Sequence, residues 1–326
     1  MRLVQRLRRL PRRLQRPCPG HDRRRQQPRP PLLGAMSLPE LSTPIRLYWD
    51  ITPLPEVPVD HVRICGEIIS LKILSLDLIA SGSDVLPDSC FEIIEQCRTA
   101  HLPVTLTLSP EALTEGVRLR LAAAPPKELL FQLNDTADLP TALPSEIAGI
   151  SFAVTERNWR QLPELFRFAL EQGCKRLVLP MQRLYAGKKA FHLTRSQQEE
   201  LKATLATVPR NPAMRITVHD PFLWRGIFPE TPFPEGRCQA ANTMLSIDQN
   251  GIVYPCPTMP VPLGDLKKES LRDIARGSAK KELRAQLLRL PAECSLCGEA
   301  EACKGGCRGR GERIAGSWEG IDPACR

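Results

Sequence analysis

Between residues 45 and 216, short apolar runs alternate with segments whose apolar positions recur every three or four residues. The runs at 45–49, 73–79, 104–108, 128–133, 149–154 and 176–179, with a further one at 214–218, have the length and composition of strands. The stretches 89–97, 159–172 and 196–207 carry the spacing of amphipathic helices. Strands alternating with helices predict an α/β fold of parallel β-α-β units. Because each crossover is right-handed, about six successive units curl into a barrel or partial barrel, with an open doubly wound sheet as the alternative. Either arrangement puts ligands at the carboxyl ends of strands, where Asp50, Asn134, Asp135, Glu156, Gln182 and His219 fall. Each of these six also suits an ordinary turn or cap.

The pattern changes near residue 209. Six prolines between 209 and 234 predict few continuous elements, and a boundary is placed near Gly236. Beyond it, 244–247 and 252–254 flank Asp248-Gln249-Asn250-Gly251, where Asn-Gly predicts the positive φ angles of a tight hairpin. Residues 266–290 read as two short helices interrupted at Gly277. The chain therefore divides into residues 1–35, 36–235 and 236–326.

Charge alters the picture only at the amino end. The 326 residues carry a net charge of +9, but residues 1–35 hold eleven arginines against one acid, Asp22, so the remainder is at −1. A Pro-interleaved block of like charge does not pack, and reads as a disordered basic arm or as an extension upstream of a start at Met36. A nucleic-acid partner would rest on that arm alone and is not expected. No secretion signal or membrane-length apolar stretch is seen, so a cytoplasmic protein is expected.

Twelve cysteines are unevenly placed: Cys18 in the arm, Cys65, Cys90, Cys97 and Cys174 in the middle, and seven from Cys238 to Cys325. Reduced cytosolic thiols point to metal ligation in the last group, while those on the helix-like middle segments read as small core residues. The local run is Cys294-x2-Cys297-x5-Cys303-x3-Cys307, with Cys238 and Cys256 before it and Cys325 after it. Structural zinc commonly uses two Cys-x2-Cys knuckles, whereas here the second knuckle is missing and seven thiolates do not divide into four-cysteine sites. The count suits iron–sulfur clusters better.

This pattern resembles the SPASM domain of radical S-adenosylmethionine peptide-modifying enzymes: a Cys, then Gly251-x4-Cys256, the four-cysteine run, and a last Cys. The words LSIDQNGIVYPC, LGDLKKESLRDI and CKGGC share the likeness. The resemblance implies two [4Fe–4S] clusters, the first held by Cys238, Cys256 and Cys307 with an unknown fourth ligand, the second by Cys294, Cys297, Cys303 and Cys325. Residues 36–235 resemble the barrel of the same enzymes, with SGSDVLP standing where a Gly-Gly-Glu motif is usual.

The resemblance departs after the first strand, where those enzymes carry Cys-x3-Cys-x2-Cys and this chain has TPLPEVPVDHVRIC, with Cys65 as its one thiol. Together with the opening IRLYWDITP, this combination resembles the SPASM-domain proteins of GeoRSP systems. It implies an electron-transfer or substrate-docking partner of a separate radical S-adenosylmethionine protein, possessing no autonomous activity or catalytic residue, and not binding S-adenosylmethionine. A peptide is the expected substrate. The alternative is an oxidoreductase that activates substrate at the open position of the Cys238/Cys256/Cys307 cluster.

Overall fold

Side chains alternate across a strand, so each strand here presents one face to the surrounding helices and the other to the inside of the curled sheet. In Arg46–Asp50 (β1), Leu47 and Trp49 enter the apolar core, while Arg46 and Tyr48 face a central cavity. The same division recurs in Ser75–Ala80 (β2), Val104–Leu108 (β3), Glu128–Leu133 (β4), Gly149–Phe152 (β5), Arg176–Leu179 (β6) and Arg215–Val218 (β7). Their outward Leu, Ile and Phe side chains fill two apolar clusters, one on β1–β4 and the other on β5–β7. Asp77, Thr107, Gln132, Ser151, Arg176 and Thr217 turn inward.

The computed structural model describes residues 41–52, 59–185, 187–231 and 238–325. The basic arm with Cys18, and the boundary near Gly236, lie outside the described residues. β1 to β7 pair in sequence order and all in parallel. The fold is a partial (β/α) barrel. Tyr48 on β1 and His219 just after β7 meet edge to face, with the Tyr48 hydroxyl 3.4 Å from His219 Nε2. This contact brings the first and last of these strands together.

The covering helices are His61–Ser70 (α1), Asp88–Thr99 (α2), Glu115–Ala123 (α3), Leu162–Glu171 (α4), Arg195–Leu205 (α5) and Pro221–Ile227 (α6). α5 opens on a reciprocal cap between Thr194 and Gln197. α6 forms within the proline-rich stretch expected to hold few continuous elements. Pro221 occupies its first turn, where no backbone donor is needed, and Asp220 accepts from the N–H groups of Phe222 and Leu223.

The carboxyl-terminal region extends the same sheet. Met244–Ile247 (β8) pairs in parallel with the free edge of β1, followed by antiparallel Ile252–Tyr254 (β9) and Gly264–Asp265 (β10). The β8–β9 turn departs from the expected geometry: Gly251 has φ +81°, but Asn250 is not among the positive-φ residues. Asp248 explains the difference, because its carboxylate accepts the N–H groups of Asn250 and Ile252, each at 2.9 Å, leaving one left-handed position to glycine. Leu271–Arg276 (α7) and Ser278–Leu287 (α8) meet at Gly277, as the sequence predicts. Ala300–Cys303 (α9) ends on Cys303, Cys307 caps the start of Arg308–Ala315 (α10), and Cys325 ends the short turn Pro323–Cys325. Among the described residues no helix is long and apolar enough to cross a membrane.

Candidate iron–sulfur and substrate site

Seven cysteines separated by up to 87 positions arrive in two groups. Cys256 lies two residues past the end of β9, and its electrostatic neighbours are Cys238 and Cys307. Cys294 has Cys325 and Cys297 as its neighbours, and Cys303 also faces Cys325. The inner group, Cys238, Cys256 and Cys307, borders a cavity of about 300 Å³, and the outer group borders one of about 820 Å³. Cys303 lines both cavities. Cys297 and Cys325 are exposed, so the outer group meets solvent while the inner one faces the barrel.

Burial pushes the inner thiols up, Cys307 to about 12, because a thiolate loses its hydration there. Backbone donors oppose this: the N–H of Ala240 serves Cys238, those of Thr258 and Met259 serve Cys256, and that of Arg310 serves Cys307. Cys303 receives those of Gly305 and Gly306. Such groups are prepared for deprotonation when a cationic centre supplies the compensating charge. Among the described residues no three His, Cys, Asp or Glu side chains gather as a single-ion site. The thiols stand around cavities, as a bulky cluster requires.

A buried ion-pair network ties the inner group to the barrel. Arg310 Nε and Nη2 each donate to Asp322 at 2.7 Å, and the same guanidinium pairs with Asp220 at the head of α6. Asp322 also accepts the Cys307 N–H at 2.6 Å and the Ala324 N–H at 3.0 Å, which fixes the chain at Cys307 and next to Cys325. Arg284 donates to the carbonyl oxygens of Cys238 and Ala240. These positioning residues lack a local sequence signal, although Arg310 lies close to the cysteine run.

The barrel cavity, about 590 Å³, is bordered by Asn134, Glu156, Gln182 and His219. Of the other strand-end candidates, Asp50 is buried and pairs with Arg183 at 2.6 Å, and Asp135 caps a short turn through the Ala137 N–H. Burial, then Arg46 and Arg176, lower His219 to about 4, keeping its imidazole neutral beside Tyr48. Val154, Pro180, Met181, Gln182, Phe191 and His219 line both this cavity and the inner thiol cavity. The two spaces therefore share a wall.

Cys65, Cys90, Cys97 and Cys174 do not join either group. All are buried, with Cys65 in α1 and its sulfur 3.7 Å from that of Cys97 in α2. Cys65 is a core residue, and residues 52–65 do not fit a three-thiolate cluster. In the segment likened to Gly-Gly-Glu, Ser81 accepts from Arg183 at 3.1 Å and Asp84 is exposed.

Residues 238–298 match the SPASM family, an iron–sulfur cluster-binding domain. Over 336 aligned positions the chain is 23% identical to the mycofactocin maturase MftC of Mycobacterium tuberculosis, covering 87% of this chain and 83% of that one. SuiB of Streptococcus suis, bound to S-adenosylmethionine, shares the fold with a TM-score of 0.61 at 18% identity, over 88% of this chain and 78% of its own. The anSMEcpe protein with bound AdoMet gives 0.57 at 14% identity, over 86% of this chain and 90% of its own.

These findings correct three expectations. An electron-transfer or docking partner without autonomous activity, for which S-adenosylmethionine is not expected, is not what the relatives are: one is a maturase, and two hold S-adenosylmethionine. The likeness spans barrel and cysteine-rich region together, so it is not confined to an electron-carrying module. The absence of a Cys-x3-Cys-x2-Cys motif does not remove the strand-end cavity, which is built from residues on seven strands that no local motif reveals.

Proposed function

We propose that this chain is a peptide-modifying oxidoreductase of the SPASM class, acting where the barrel cavity meets the inner thiol group. The wall shared by the two cavities carries this reading. Cys238, Cys256 and Cys307 would hold one [4Fe–4S] cluster, leaving its fourth position open, and Cys294, Cys297, Cys303 and Cys325 the other. Bound clusters supply one-electron transfer, and an iron with three thiolates offers a coordination position to substrate. The inner group faces the substrate space, while the outer group reaches solvent, where electrons enter or leave.

The protein residues bind and orient. Gln182 and Phe191 belong to the shared wall, with Gln182 holding the Phe191 backbone through two hydrogen bonds of 2.7 Å. His219 and Tyr48 are both held neutral by burial and offer hydrogen bonds to a substrate, and Arg46 and Arg176 lie in electrostatic range of His219. SuiB bound to the precursor peptide SuiA and anSMEcpe bound to a peptide support a peptide substrate. Likeness to SuiB and anSMEcpe, which hold S-adenosylmethionine, supports its binding to this chain. No step is assigned to a third cluster.

The finer likeness to SPASM-domain proteins of GeoRSP systems, carried by IRLYWDITP, belongs to this proposal, as does a cytoplasmic location. The test is anaerobic reconstitution followed by iron analysis, calorimetric binding of S-adenosylmethionine and turnover of candidate peptides. About eight irons per chain and turnover by the isolated protein are expected. Stoichiometric zinc without iron would overturn the cluster reading, and turnover only with a second radical S-adenosylmethionine protein would overturn the autonomous one.

A further inference from the structure

Arg308 and Arg310 lie two residues apart on α10, and both are buried. Arg310 is fully engaged by Asp220 and Asp322. Arg308 is 2% exposed, yet its Nε and Nη1 have no hydrogen-bond partner among the described residues. A buried guanidinium with unpaired N–H groups is costly, so an unmet acceptor is expected beside it.

Its surroundings identify that acceptor. The groups in electrostatic range of Arg308 are, in order, Cys238 of the inner group, Cys294 of the outer group, and then Glu319 and Glu293. Both carboxylates are exposed. The guanidinium also reaches under the loop that joins the two groups: a Cβ added to Gly305, which has φ +88°, would lie 2.9 Å from Arg308 Nη1. The bare glycine leaves the room that Arg308 occupies.

We propose that Arg308 is a positioning residue shared by both clusters, donating its unpaired N–H groups to cluster sulfur and placing one positive charge between the two centres. The inference rests on the two-cluster reading. Positive charge and hydrogen bonds to sulfur favour the reduced, more negative state of a cluster, so one side chain raises both reduction potentials. The thiolate assignments do not imply this, because Arg308 is not a ligand.

The test compares iron-loaded wild type with Arg308→Met, Arg308→Gln and Arg308→Lys by redox titration followed by electron paramagnetic resonance. Arg308→Met is expected to keep its iron and to lower the reduced-to-oxidised ratio of both clusters about tenfold at fixed potential, 59 mV for a one-electron couple. Arg308→Gln should lower both, and Arg308→Lys should restore part of the loss by retaining charge. Unchanged potentials in iron-replete Arg308→Met or Arg308→Gln would overturn the proposal. Wild-type protein labelled with 15N-arginine gives a readout that needs no variant. Nitrogen hyperfine coupling is expected at each reduced cluster, and its absence from both would overturn the proposal. Wild type that takes up zinc and no iron would instead sink the cluster reading itself.

Discussion

Replacing Arg310 by methionine should do more damage than any other single change in this region outside the cysteines. The side chain is 1% exposed and compensates Asp322, itself 1% exposed, together with Asp220. Methionine fills similar volume but leaves a buried carboxylate uncompensated, which typically costs about 3–5 kcal/mol. At a slope of about 3 kcal/mol per molar urea, the midpoint should fall by roughly 1–1.7 M. The damage should be directional as well, since Asp322 holds the Cys307 and Ala324 N–H groups and Asp220 heads α6. Anaerobic urea unfolding followed by circular dichroism, with iron analysis of the folded fraction, measures both effects. A midpoint shift below about 0.3 M, corresponding to about 1 kcal/mol at that slope, with full iron retained would refute the reasoning.

Cys256→Ser and Cys307→Ser should each remove about four of roughly eight irons, while Cys297→Ser removes a different set with a distinct spectrum; loss of the same spectral component from all three would contradict the two-group arrangement. His219 has its folded value lowered to about 4 by burial, then Arg46 and Arg176, so its contribution is complete above the ordinary value near 6.5 and is lost as pH falls toward 4. The loss amounts to up to about 3 kcal/mol, and His219→Gln should flatten that part of a stability–pH profile. Burial opposes ionisation of Glu128, but Arg176 and Arg215 outweigh it and hold the carboxyl below its ordinary 4.5. Its stabilisation is therefore present above that value and lost as pH falls through the folded one. Glu128→Gln should cost about 1–3 kcal/mol at neutral pH and reduce the acid dependence, as read by urea midpoints from pH 3 to 7.

The strands were legible because parallel barrel strands are short apolar runs, and 104–108, 128–133 and 176–179 coincide with the observed elements. The break at Gly277 was legible for a similarly local reason. α6 was not, because proline counts as a breaker until its position is known to be the first turn behind an aspartate cap. The Asn-Gly turn differs from the geometry its sequence predicts because Asp248 offers the backbone another set of hydrogen bonds.

The sequence by itself determined the seven-cysteine spacing and the alternation of strands with helices, since ligand spacing and side-chain periodicity are written locally. Tertiary structure decided how β8 joins β1, which thiols share a cavity, and that polar positions from seven strands face one interior. It also decided that Arg310 is paired while Nε and Nη1 of Arg308, two residues earlier, find no partner among the described residues. Those facts depend on closure of the sheet, which brings together residues that no short segment can place.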